Sequence, residues 1–99
     1  MFSRFQFYSF RLSSTLIHVS NQMKQLNNVK QFGKVINLFD SYIQHDIPTD
    51  IIINQTLKAC IELKDFKRGK AIHRNLSAQS MNNSFIQYNL IHLYSKFFF

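Results

Sequence analysis

From residue 50 onward, apolar positions recur at helical spacing. Ile53, Leu57, Cys60, Ile61 and Leu63 fall on one face of a helical turn, and the stretch opens just after Pro48 and Thr49, which close the preceding segment. The pattern predicts a helix over Asp50–Leu63. Lys64 and Asp65 then interrupt the run, and Asp65 has the chemistry of an N-cap for a second helix. That helix is expected from Phe66 to about Gln79, with Phe66, Ala71, Ile72 and Leu76 turned inward. Ser80 to Asn83 reads as a turn. Ser84 is then the expected cap of a third helix running through Phe85, Ile86, Leu90, Leu93 and Tyr94.

The same wording echoes at a spacing of 34 residues. Moving back by that step from Leu57, Lys58, Cys60, Leu63, Phe66, Ile72 and His73 reaches Met23, Lys24, Leu26, Val29, Phe32, Leu38 and Phe39. Moving forward from Leu57, Ala59, Cys60 and Leu63 reaches Ile91, Leu93, Tyr94 and Phe97. A period of this length is the mark of stacked helix pairs. The expected fold is therefore all-α, an α-solenoid fragment of antiparallel helix pairs. Its units are residues 16–49, a degenerate repeat with helices over Leu16–Asn27 and Phe32–Gln44; residues 50–83, the best copy; and residues 84–99, the first helix of an incomplete third.

Composition agrees with helix, since a chain of 99 residues with two Gly and one Pro has little turn chemistry for a many-stranded sheet. A solenoid buries its apolar residues between neighbouring repeats, so two and a half units leave two raw ends and marginal stability. The single Cys60 excludes an internal disulfide, argues against a zinc site and reads as a small packed helix residue. No uninterrupted apolar run reaches the roughly 18 residues that a membrane span needs. The formal net charge is +7, and Arg4, Arg11, Lys24, Lys30 and Lys34 all precede Asp40, the first acidic residue. Within residues 1–20, five Ser and two Arg occur with no Asp or Glu, the profile of a mitochondrial targeting segment, expected over residues 1–15. On a helical wheel Phe2, Phe5, Leu12 and Leu16 share an arc opposite Arg4, Arg11 and His18, while Arg11 interrupts the apolar run that a secretory signal requires.

Leu57-Lys58-Ala59-Cys60, then Asp65-Phe66, Gly69-Lys70-Ala71-Ile72-His73 and Leu90-Ile91-His92-Leu93-Tyr94-Ser95-Lys96 together resemble the pentatricopeptide repeat family, in its long-type variant of the plant-style class. The likeness is strongest from Val35 to Lys96 and weaker from Leu16 to Lys34. The tetratricopeptide repeat has the same length, but its Trp-Leu-Gly landmark is missing from a chain without Trp.

The resemblance implies that each helix pair reads one base of single-stranded RNA. It assigns the fifth residue of the first helix to hydrogen-bond the base, the last residue of the repeat to support it, and an apolar second residue to wedge between bases. The fifth positions are Ser20, Asn54 and Tyr88, the last positions Thr49 and Asn83, and the second positions Ile17, Ile51 and Phe85. An amide such as Asn54 offers both donor and acceptor to a base edge, and paired with Asn83 it resembles a pyrimidine-preferring combination. Tyr88 and Thr49 depart from the family's usual residues. Lys58, Lys64, Lys67, Arg68, Lys70 and Arg74 concentrate positive charge in the central unit. Lys67, Lys70 and Arg74 belong to the second helix of that unit and are expected on its solvated convex side.

No enzymatic chemistry is expected. The deaminase domain that ends some plant-style members needs H-x-E and C-x-x-C, and here His73 is followed two residues on by Asn75 while Cys60 stands alone. His73 is expected to be a packing residue. No phosphate loop, dinucleotide motif, paired-carboxylate site or nucleophile elbow occurs, and no cofactor is implied. At about 1–3 kcal/mol per base, two or three bases give at most roughly 3–9 kcal/mol, against about 11 kcal/mol for a complex near 10 nM. The expected function is a binding module for single-stranded RNA in mitochondrial RNA processing, stability or modification, weak when alone. Neither DNA nor a membrane is expected as a partner. Two other readings remain: a protein-interaction scaffold, contacting other repeat proteins or itself through Phe97, Phe98 and Phe99, and a truncated fragment without independent function.

Overall fold

Thr49 begins the central helix. Its backbone is extended and its side chain accepts a hydrogen bond from the Ile52 N–H, satisfying one of the donors a helix start leaves open. The helix it caps is Asp50–Leu63, as the apolar spacing predicts. The computed structural model describes residues 18–98, and six helices lie among them: residues 18–28 (α1), Phe32–Tyr42 (α2), Asp50–Leu63 (α3), Phe66–Arg74 (α4), Ala78–Met81 (α5) and Ser84–Phe97 (α6). The described residues contain no strand. The expected targeting segment, residues 16 and 17 and the last phenylalanine lie outside them.

The central helix holds the molecule together. α3 packs against α2, α4 and α6, and its Ile52, Leu57, Ala59 and Cys60 are fully buried. Met23 from α1, Val35 from α2, and Ile86 and Leu93 from α6 complete the fully covered part of one core. Such an all-helical layer of short, sequentially packed helices is compatible with an α-solenoid. Gly69 permits the close approach of α4 to α6: a Cβ there would stand 2.5 Å from Cδ2 of Leu93, a fully buried side chain that would have to shift. His73 is half-buried, its Nδ1 hydrogen-bonded to the Tyr94 hydroxyl at 2.8 Å, so it joins α4 to α6. Arg68 on α4 pairs with Asp40 on α2 and, more loosely, with Asp65 at 3.6 Å.

Two turns share one geometry. Lys30 and Lys64 both adopt left-handed backbone, with φ of 62° and 58°. After each, the next N–H reaches back five residues, Gln31 to the Leu26 carbonyl at 2.8 Å and Asp65 to the Cys60 carbonyl at 2.9 Å, which closes the helix end. Asp65 then caps α4 by accepting from the Arg68 N–H, as its position predicts.

Four expectations need correction. α4 ends at Arg74, not near Gln79, because Asn75 turns its side-chain amide onto the Ala71 carbonyl at 2.8 Å, and Ser77 then caps the separate short helix α5 through the Ser80 N–H. The cap of α6 is Asn83, whose Oδ1 accepts from the Ile86 N–H at 3.0 Å; Ser84 is already helical. α2 ends at Tyr42, short of the expected Gln44, and Leu63 remains 46% exposed at the end of α3.

Cys60 is fully buried, as its place in the apolar face predicts, and burial pushes its thiol up from 9.0 to about 12, with the Asp65 charge adding to the effect. The folded thiol therefore holds its proton to higher pH than the unfolded one. The stability this confers is complete below pH 9.0 and is lost as pH rises toward about 12. Wild type is expected to lose more unfolding free energy than Cys60→Ala between about pH 8 and about pH 10.5, by roughly 1–2 kcal/mol, measured by urea denaturation at each pH. Parallel pH dependence in the two proteins would contradict it.

Candidate functional site

α1, α3 and α6 contribute the walls of a groove on one side of the molecule. Along α3, Ile51, Asn54, Gln55 and Lys58 succeed one another at i, i+3, i+4 and i+7, which puts them on one face. Along α6, Phe85, Tyr88, Asn89 and His92 repeat that spacing. Two adjoining hollows result. The larger, about 800 Å³, is lined among others by Lys24, Asn27, Gln55, Lys58, Tyr88 and His92. The smaller, about 400 Å³, is lined among others by Ile51, Asn54, Lys58 and Phe85. Lys24, Gln55, Lys58, Tyr88 and Asn89 border both.

Amides tie the helices together beneath the groove. Asn27 Nδ2 donates to the Gln55 carbonyl at 3.0 Å and to Gln55 Oε1 at 2.9 Å, linking α1 to α3. Asn89 Nδ2 donates to Asn54 Oδ1 at 2.8 Å, linking α3 to α6. Gln55 and Asn89 are buried, and buried amides stay only where they are bonded. Above this floor stand exposed apolar and aromatic groups, Ile51, Phe85 and Tyr88. Lys24 and Lys58 bring positive charge to the rim and Glu62 a single negative one. The surface offers rings, amides and ammonium groups, the combination that suits a polyanion carrying flat bases.

The structure brings some of the sequence-predicted residues together and separates others. Asn54, Ile51, Tyr88 and Phe85 all line the groove. Ser20 is buried in α1. Thr49 and Asn83 sit at helix starts with their side-chain oxygens engaged as caps. Asn83 also donates through Nδ2 to Asp50 Oδ2 at 3.3 Å, one helical turn before Asn54, and Ser80 Oγ donates to Asp50 Oδ1 at 2.7 Å. Ile17 falls outside the described residues. Lys24, Asn27, Gln55 and His92 belong to the groove although the repeat register gives them no part in reading a base. Continuing the Ile51 face by one turn would have found Gln55, whereas the Asn27 contact depends on how two distant helices meet.

Lys67, Lys70 and Arg74 are exposed on α4 and border a separate hollow of about 390 Å³ with Phe66, Tyr94 and Phe97. There Phe66 and Phe97 meet edge to face at 4.7 Å, Lys70 Nζ lies 5.2 Å from the Phe97 ring centre, and Phe98 is largely exposed. No helix of the described residues is long and apolar enough to cross a membrane.

No family model matches the chain, and no solved structure matches it. The chain is similar to a stretch of a mitochondrial pentatricopeptide repeat-containing protein of Arabidopsis thaliana, with 32% identity over 68 residues. The match covers 68% of this chain and 10% of that protein, so the chain spans a small part of its relative's length.

Proposed function

We propose that this chain is a helical-repeat module of the pentatricopeptide type that binds single-stranded RNA along the groove of α1, α3 and α6, as a non-enzymatic part of mitochondrial RNA metabolism. The observation that carries the reading is the matched groove face of α3 and α6. Ile51, Asn54, Gln55 and Lys58 are followed 34 positions later by Phe85, Tyr88, Asn89 and His92. The framework supports the same register: caps at Thr49 and Asn83, left-handed turns at Lys30 and Lys64, and helix starts at Phe32 and Phe66 each differ by 34. The mitochondrial assignment draws on the acid-free, Ser- and Arg-bearing first 20 residues and on the name of the similar plant protein.

In this reading the lysines at the rim meet phosphates, Ile51 and Phe85 pack against base faces, and Asn54 meets a base edge. Asn54 Oδ1 accepts from Asn89, which orients the amide, and its Nδ2 is available to donate to a base acceptor. Thr49 and Asn83 act one step removed: by fixing the starts of α3 and α6 they set the height at which Ile51, Asn54 and Phe85 stand. Ser20 contributes through packing in α1.

Binding of fluorescein-labelled hexauridylate, followed by anisotropy at low and high salt, tests the reading. Affinity is expected to fall steeply with salt. Asn54→Ala is expected to weaken binding by about 1 kcal/mol, roughly five-fold, at unchanged salt dependence. Equal affinity in the two proteins would remove the base-reading role of Asn54.

A further inference from the structure

The last turn of the groove presents a ring where the preceding one presents an amide. Tyr88 stands one helical turn beyond Phe85 on α6 and is 68% exposed. It borders both hollows, together with Lys24, Gln55, Lys58 and Asn89. The amide beside it cannot take its place, because Asn89 is only 4% exposed and gives Nδ2 to Asn54. His92, one turn further, holds its ring 6.1 Å from that of Tyr88 with the planes tilted by 59°. The two rings are tilted and not stacked, and most of Tyr88 remains exposed to solvent. The Tyr88 hydroxyl has no hydrogen-bond partner among the described residues.

An exposed aromatic ring in a groove that also holds the ammonium groups of Lys24 and Lys58 is what a nucleotide fits: the base lies on the ring and the phosphate turns to the lysine. We propose that Tyr88 is a stacking platform for one nucleobase of single-stranded RNA, so that this position of the groove selects by ring area and not by the hydrogen-bonding edge of the base. The proposal rests on the RNA-binding reading above. It gives two neighbouring positions different chemistries. Asn54 discriminates through a donated hydrogen bond, whereas Tyr88 accepts any base and holds purines more tightly, since a purine covers more of the ring.

Hexauridylates carrying one 2-aminopurine, moved along the series, test this at low salt through quenching of the 2-aminopurine fluorescence. For one placement, wild type and Tyr88→Phe are expected to quench equally and bind with equal affinity. Tyr88→Ala is expected to lose the quenching and bind about ten-fold more weakly, the worth of one stacked base. Because Tyr88 is mostly exposed, neither substitution disturbs the core. Equal quenching and affinity in wild type and Tyr88→Ala would overturn the platform and leave the groove as an RNA site. A loss in Tyr88→Phe equal to that in Tyr88→Ala would overturn it too, since it would assign the contact to the hydroxyl. Absence of wild-type binding to every oligomer at low salt would overturn the RNA reading itself, and the platform with it.

Discussion

Leu57→Ala is expected to lower the unfolding free energy by about 2–5 kcal/mol, the range for emptying a fully buried leucine site. Leu57 is fully buried in the middle of α3, the helix against which α2, α4 and α6 all pack. At roughly 0.05–0.15 kcal/mol per ordered residue, a fold of this size has only about 4–12 kcal/mol in total. The substitution therefore removes a large share of what holds the helices together. Thermal and urea melts followed by circular dichroism measure it, with Lys58→Ala as the control. Lys58 is exposed on the next position of the same helix, and its loss is expected to change stability by less than about 0.5 kcal/mol. A Leu57→Ala variant as stable as that control would refute the central place of α3.

How legible this fold is in the sequence depends on the range of the interaction that decides each feature. α3 is readable residue by residue, since Thr49, the apolar face and the Lys64-Asp65 break are all local signals. The end of α4 is less so: Asn75 is compatible with a helix interior until its amide chooses the Ala71 carbonyl. Asn83 and Ser84 are both capping residues in adjacent positions, and propensity alone does not rank them. In the groove, the i, i+3, i+4, i+7 face of α3 is a sequence property. The pairing of Asn54 with Asn89 and of Asn27 with Gln55 is not, because it follows from how the helices stack. That pairing changes the chemistry: it orients the amide of Asn54 and removes Asn89 from the exposed surface, so that at this level of α6 the exposed group is Tyr88.

Reversing both groove lysines, Lys24→Glu with Lys58→Glu, is expected to weaken binding of single-stranded RNA by roughly a hundred-fold or more at low salt. It is also expected to flatten the dependence of log affinity on log salt by about 1.4, at about 0.7 for each phosphate that is no longer neutralised. Both lysines are exposed and both border the two hollows, so each is able to meet a phosphate of a strand lying along the groove. A drop in affinity alone would be ambiguous, because the double reversal also lowers the net charge from +7 by four. Lys67→Glu with Lys70→Glu makes the same change of net charge on α4, beside the separate hollow under Phe97. That variant is expected to lose only the long-range attraction, a few-fold at low salt that vanishes near physiological ionic strength, where the screening length is about 8 Å. The groove variant is expected to remain defective there, because an ammonium group that met a phosphate directly is replaced by a carboxylate at the same short range. Anisotropy titrations of one oligonucleotide across a salt series with both variants separate the two effects. Equal losses in the two variants at every salt concentration would mean that bulk charge draws RNA to the whole surface and that the groove has no privileged part in holding it.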